Sequence, residues 1–206
     1  MKFTWKGHSC FVVEDKGYKV AFDPFGDDTV PGYGKVRVTA DAVLCSHEHR
    51  DHGFRDGVKI EKSGAADPFL ITTVECPHDD AGGSKRGMNT IYILDDGEFR
   101  FAHFGDIGCP LTDDQIEEIG KLDLALVPVG GYYTMEPDGI YELMQKLDPK
   151  VVVPMHYRNG ELGYPVIGTL DAYLDLVKGD IVKYDTNEFE LTKDTPAQTA
   201  ILKYLG

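Results

Sequence analysis

The segment Ser46-His47-Glu48-His49-Arg50-Asp51-His52 packs three imidazoles and the Asp51 carboxylate into six residues. On an extended backbone, residues two apart project to the same side, so His47 and His49 converge on one point. A turn into helical geometry directly afterwards swings Asp51 and His52 toward a second point close by. Imidazole nitrogen mixed with carboxylate oxygen suits Zn, Mn, Fe or Ni far better than Ca or Mg. The chemistry to expect is activation of water on one or two divalent cations, which requires no protein nucleophile. In keeping with that, the chain has neither a G-x-S-x-G elbow nor a persuasive Cys/His pair.

Only four histidines remain, and each occupies a loop or strand-end position. His8 lies in Gly7-His8-Ser9 and His78 in Pro77-His78-Asp79-Asp80. His103 ends an apolar run just before Phe104-Gly105-Asp106, and His156 follows Val151-Val152-Val153-Pro154-Met155. Strand ends are where α/β folds assemble sites from distant parts of the chain. One such histidine alone is more often a hydrogen-bonded structural residue than a ligand. Together with the cluster, Asp106 and these histidines supply what a dinuclear site needs. Substrate-facing groups are expected from Ala81-Gly82-Gly83-Ser84-Lys85-Arg86-Gly87 and Gly130-Gly131-Tyr132-Tyr133. Lys85 and Arg86, near His78 in an acidic chain, suit a carboxylate or phosphate, although an exposed turn with two solvated cations accounts for them equally well. Tyr132 and Tyr133 fit packing at least as well as recognition. Tyr157 and Arg158 are candidates on proximity to His156 alone.

The elements that must position these residues read as follows. Short β-like runs at Phe3 to Trp5, Cys10 to Glu14 and Tyr18 to Phe22, separated by tight turns, predict an antiparallel meander. A Gly/Pro/Asp-rich loop from Asp23 to Gly34 precedes a buried-type strand, Ala42 to Cys45, that runs into the histidine cluster. Further strands are expected at Phe69 to Val74, Thr90 to Leu94, Phe99 to Phe101, Leu124 to Val129 and Val151 to Pro154. Thr112 and Gln115 have capping-box spacing before Ile116 and Ile119, with Gly120 as the stop. Pro137 suits the first turn of a helix carrying Ile140, Leu143, Met144 and Leu147, and Leu170, Tyr173, Leu174 and Val177 mark a third. Two β-rich halves with helices outside, packed as one domain over residues 1–206, is the economical architecture.

Acidic residues outnumber basic ones 35 to 21, for a net charge of -14. That field repels a phosphate backbone or an anionic membrane, so neither nucleic acid nor a membrane is an expected partner. The cysteines show no CxxC spacing, the amino terminus lacks an apolar signal core, and no stretch is apolar enough to span a bilayer. A cytoplasmic location is the expectation, with a homo-oligomer as the default assembly.

His47-Glu48-His49-Arg50-Asp51-His52 fits the His-x-His-x-Asp-His signature of the metallo-β-lactamase superfamily. Phe22-Asp23-Pro24, His78, Gly105-Asp106 and Met155-His156-Tyr157 fall in the order of its other motifs. Gly7-His8-Ser9-Cys10-Phe11, His103 to Gly108 and Val127 to Tyr133 resemble its small prokaryotic metal-dependent hydrolase branch, which includes relatives of ascorbate-6-phosphate lactonase. The resemblance implies an α/β fold, a four-layer αββα sandwich. It implies that His47, His49 and His78 hold a first metal and Asp51, His52 and His156 a second, with Asp106 bridging them. Asp23 would orient the cluster by accepting a hydrogen bond from a ligand. His8 and His103 stand as outer partners, proton carriers or, in a rearranged site, ligands; the outer position is preferred because the inner set is complete without them. Cys109 departs from the histidine expected there in this branch, and is either a soft accessory ligand or a small loop residue.

The expected function is metal-dependent hydrolysis of an ester, lactone or phosphoester bond in a small, anionic molecule, with Asp51 or His103 relaying a proton and Asp106 between the metals. A nuclease would use the same metals but needs a basic track. A redox-iron or metal-sensing protein on the same fold is the other alternative.

Overall fold

Alternating apolar residues joined by tight turns fold back on themselves at the start of the chain. In the computed structural model, which describes residues 1–206, β1 (Lys2–Gly7), β2 (Cys10–Asp15) and β3 (Tyr18–Phe22) form the antiparallel meander. Phe3, Trp5, Phe11, Val13, Val20 and Phe22 are all buried, the period-two pattern of a sheet whose inner face covers a core. Next come β4 (Val38–Ala40), β5 (Ala42–Leu44) and β6 (Val58–Ile60). β5 runs parallel to β3 at the edge of the sheet. Its three residues are only partly buried, so the fully buried strand expected from its apolar sequence is instead an edge strand.

The remaining strands are β7 (Leu70–Pro77), β8 (Met88–Asp95), β9 (Arg100–His103), β10 (Leu124–Pro128) and β11 (Val151–Met155), followed by β12 (Ile181–Lys183), β13 (Glu188–Glu190) and β14 (Gln198–Ile201). Two main sheets result, of order β13-β1-β2-β3-β5 and β12-β14-β11-β10-β9-β8-β7. They face each other across one continuous core of 39 buried residues. The Phe101 ring of the second sheet meets Phe3 edge-on at 5.1 Å and Phe22 at 5.9 Å from the first.

Helix α1 (Asp113–Ile119) has the capping box: Thr112 accepts from the Gln115 backbone while the Gln115 side chain accepts from the Thr112 backbone, and Gly120 stops it. Helix α2 (Pro137–Leu147) buries Ile140, Leu143, Met144 and Leu147. The third helix is shorter than its apolar spacing predicts. α3 covers only Asp171–Leu174, because the bonds that follow, Leu176 to Tyr173 and Val177 to Leu174, tighten to three-residue spacing. On the outer face of the first sheet, Ala21 packs with Ala40 of β4 and Val58 of β6. Two facing sheets with helices and the β4–β6 pair outside them make an α/β sandwich, as the resemblance implies. No helix is long and apolar enough to cross a membrane.

Strand direction is what positions the site. β1 and β3 are both antiparallel to β2, and β5 is parallel to β3, so all three end at one edge of the first sheet. In the second sheet, β9, β10 and β11 are mutually parallel, and β7 shares their direction because both it and β9 are antiparallel to β8. The residues that leave these carboxyl ends include His8, Asp23, Ser46, His78, Phe104, Val129 and His156.

Candidate metal centre

Three of those residues turn sharply as they leave their strands: His8, Asp23 and His156 have φ of 50°, 43° and 52°. Left-handed backbone at non-glycine residues is disfavoured and is retained where surrounding structure enforces it. Here the turns aim the side chains into the rim between the sheets. After β5 the cluster bends through one helical turn, with the His52 and Gly53 N–H groups donating to the His49 carbonyl at 2.9 and 2.7 Å. His47 and His49 stay together, rings 4.7 Å apart, while Asp51 and His52 turn toward His8 and His156, the His52 ring remaining 4.3 Å from that of His47.

The donor atoms gather in three overlapping groups. His47, His49 and His78 form one, His8, Asp51, His52 and His156 a second, and His47, His52 and Asp106 join them; within each group the atoms lie within 4.8 Å of one another. Asp106 sits centrally, with Oδ2 at 3.3 Å from His52 Nε2, 3.5 Å from His78 Nε2 and 3.3 Å from His156 Nε2. Cys109, half-buried and free, belongs to none of the groups.

A buried network fixes which ring nitrogens face these groups. Asp23 Oδ1 accepts from the Ser46 N–H, and Oδ2 accepts from the Ser46 hydroxyl, both at 2.6 Å. With its proton given to Asp23, Ser46 Oγ accepts from His47 Nδ1 at 3.0 Å. His52 Nδ1 donates to Asp23 Oδ2 at 2.7 Å. Both imidazoles therefore direct Nε2 inward, and neither Nε2 has a hydrogen-bond partner. Asp106 Oδ1 and both ring nitrogens of His8 and of His156 are likewise buried and unpartnered. An unpaired buried polar atom costs about 1–3 kcal/mol, so a cluster of them in one place is the signature of a group that supplies the missing bonds. A cation would take one lone pair from each ring and one from the Asp106 carboxylate, and the residues fit a divalent transition metal.

Charge tells the same story. Burial pushes the His8 imidazole down to about 4, helped by His156, and that of His47 down to about 3, helped by His52. Neutral imidazole is the ligating form. His52 goes the other way: burial alone would lower it, but Asp106, Asp51 and Asp23 hold its proton well above the ordinary range. Against the opposing effect of burial, Asp106 is held well below the usual carboxylate range by His156 and His52, and Asp51 by His52 and His8. These carboxylates make the rim a trap for positive charge.

His103 stands in the outer position preferred for it and not where it could relay a proton. Its Nε2 donates to the Ser9 carbonyl at 2.9 Å, its Nδ1 accepts from Gly105 N–H at 3.2 Å, and its ring stacks on Phe22. With both nitrogens committed and the ring fully buried, it cannot carry protons to a substrate; it braces the Asp106 loop. His8, expected outside the donor set, stands within it.

A cleft of about 260 Å³ opens over the cluster, lined by His49, Asp51, His78, Asp106, Arg86, Tyr133 and Tyr164. Arg86 lies over the Tyr133 ring at 5.4 Å. Lys85 does not join it: its ammonium pairs with Asp80 at 2.6 Å in solvent. Tyr132 is exposed and packs edge-on against Tyr133 rather than lining the cleft. Tyr157 stacks on Trp5 in the core, and Arg158 lies outside the cleft.

Four residues that shape the site escape the sequence reading. Ser46 joins Asp23 to His47. Asn89 accepts from Asp106 N–H at 2.8 Å and donates to the Phe104 carbonyl at 2.9 Å. Asp79 accepts from the backbone N–H groups of Ala81, Gly83, Lys85 and Arg86. Tyr164 closes the cleft beside Tyr133, rings 5.8 Å apart. Only Asp79 left a signal, an acidic residue heading a glycine-rich turn.

Residues 2–156 match the model of the β-lactamase superfamily domain. A UPF0173 metal-dependent hydrolase of Thermus thermophilus is 31% identical over 189 aligned residues, covering 76% of this chain and 84% of that protein. One from Carboxydothermus hydrogenoformans is 30% identical over 208, covering 81% and 87%. The crystal structure of a Thermotoga maritima protein, described as a candidate Zn-dependent hydrolase of the metallo-β-lactamase superfamily, is 33% identical, covers 98% of both chains and superposes with a TM-score of 0.75. The histidine and aspartate rim thus lies on a chain that belongs to the β-lactamase superfamily, among its UPF0173 metal-dependent hydrolases.

Proposed function

We propose that the chain hydrolyses an ester, lactone or phosphoester bond in a small anionic molecule. In this reading His47, His49 and His78 hold one divalent ion of Zn, Mn, Fe or Ni, and Asp51, His52 and His156 hold a second, with Asp106 between them. Such ions supply Lewis acidity toward the scissile carbonyl or phosphoryl oxygen and lower the pKa of water. Asp51 lines the cleft as a carboxylate and is the group placed to take a proton from the attacking water and pass it to the leaving oxygen. Tyr133 and Tyr164 wall the cleft against solvent.

The observation that carries the reading is Arg86. It is a half-buried cation across the cleft from the donor cluster, in a chain of net charge -14, and its guanidinium makes no ion pair or hydrogen bond within the protein. A free guanidinium suits a carboxylate or phosphate bidentately. The cleft, about 260 Å³, lies just below the roughly 300 Å³ lower end of small-ligand pockets, which favours a small substrate. A nucleic-acid substrate would meet net negative charge in place of a basic track.

The test is a screen of lactones, esters and phosphodiesters with His49→Ala as the blank, repeated on Arg86→Gln. Arg86→Gln should raise KM for anionic substrates about tenfold or more, the worth of a charge-assisted hydrogen bond, and leave neutral analogues unchanged. Equal turnover by the parent and His49→Ala would overturn the catalytic reading. Equal KM values in Arg86→Gln would overturn the anionic one.

A further inference from the structure

The two buried histidines that flank the donor cluster, His8 and His103, are both fully inaccessible to solvent. His103 has a protein partner on each ring nitrogen. His8 has none on either. Its position is nevertheless fixed: its carbonyl accepts from Trp5 Nε1 at 2.9 Å and from the His156 N–H at 3.4 Å, and its left-handed backbone turns the ring inward. The ring lies 4.2 Å from that of His156 and 5.4 Å from that of His52. Its Nε2 is 3.5 Å from Asp51 Oδ2.

An outer partner of a metal site is bonded to a ligand or to the backbone, as His103 and Asp23 are. A buried imidazole with no geometric hydrogen bond on either nitrogen, its Nε2 gathered with three other donors of which Asp51 Oδ2 lies at 3.5 Å, has the environment of a ligand. We infer that His8 is a direct ligand at the second cation position, which then draws on His8, Asp51, His52 and His156 in addition to Asp106.

Five donors exceed the four of a tetrahedral zinc site. The second position is thus built for an ion that accepts five or six ligands, such as Mn, Fe, Co or Ni, while three imidazoles and Asp106 at the first position leave a set that zinc fills. The inference rests on the metal-dependent reading of the chain, but it is tested by metal binding rather than by turnover.

The experiment titrates the metal-stripped full chain with Co²⁺, following stoichiometry by equilibrium dialysis and geometry by visible absorption. His8→Gly tolerates the left-handed backbone and leaves room for free imidazole, and His8→Asn is a second variant compatible with that backbone. The parent is expected to take up both equivalents. In both variants one equivalent keeps its affinity and the other weakens at least about tenfold, its absorption bands change, and imidazole added to His8→Gly restores both. Unchanged affinities and bands in the variants would overturn the assignment and leave the metal centre standing. A parent that binds no Co²⁺ would overturn both. NMR of isotope-labelled histidines in the cadmium-loaded parent gives an answer that does not depend on the variants folding: metal coupling at His8 as well as at His47, His49, His52, His78 and His156 supports the inference, and its absence at His8 alone contradicts it.

Discussion

Asp23 makes two imidazoles usable with one carboxylate. It takes the proton of His52 Nδ1 directly and that of His47 Nδ1 through Ser46, so both rings present Nε2 to the rim. Asp23→Asn nearly conserves shape but puts an amide donor where these protons must be received. Metal affinity is expected to fall about 10- to 100-fold, read by equilibrium dialysis with little change in secondary structure; an unchanged affinity would remove Asp23 from the site. A second consequence concerns acid. His8 and His47 are depressed by burial to about 4 and about 3 from 6.5. Between those values and 6.5 the unfolded chain takes up protons that the folded, metal-free chain refuses, so stability present above pH 6.5 is lost as pH falls. His52 acts with the opposite sign, and its contribution is lost only as pH rises past its raised value. The melting midpoint of metal-stripped protein should therefore decline on acidification from about pH 6.5 to about pH 4, and a flat midpoint across that range would contradict these burials. At this scale the sequence is legible where residue type and spacing carry the chemistry, as at His47, His49, Asp51 and His52. Ser46, Asn89 and Tyr164 act through positions that only folding creates.

The elements around the rim are held by backbone as much as by side chains. The loop after β7 wraps the Asp79 carboxylate, which four backbone N–H donors hold down at about 2 although its burial alone would raise it. That wrapping presents Arg86 to the cleft. After β9, Gly105 has φ of 54° and presses so closely on Ser46 and Asn89 that a methyl group there would collide with both. Gly105→Ala should destabilise the fold by at least about 2 kcal/mol from overpacking and left-handed strain together, seen in urea unfolding, and should weaken metal binding by displacing Asp106. Full stability and full affinity would show that the loop has slack which the packing denies. The meander, α1 and α2 announce themselves through alternation, a capping box and an N-terminal proline. α3 does not, because its apolar spacing continues past the point where the hydrogen bonds tighten. Nor does β13, a three-residue strand that returns to pair with β1 and is specified by that pairing rather than by local pattern.

Over the whole molecule, the site is a product of strand direction. β1, β3 and β5 in one sheet and β7, β9, β10 and β11 in the other deliver their carboxyl ends to one rim, where residues as distant as His8 and His156 come within 4.2 Å. The sequence motifs reveal which residues meet; the sheet order that brings them together is visible only once the two sheets are formed. Net negative charge reinforces the local carboxylates in drawing cations to that rim, and the unpaired Arg86 guanidinium supplies local positive charge beside it. The most direct test of this assembly is the metal content of the chain purified without added metal, measured beside Asp106→Ala. About two equivalents of transition metal per chain, with marked loss in the variant, is the expected result for a two-ion rim. A parent that carries no transition metal and whose melting midpoint does not move when Zn²⁺, Mn²⁺, Fe²⁺ or Ni²⁺ is added would contradict it.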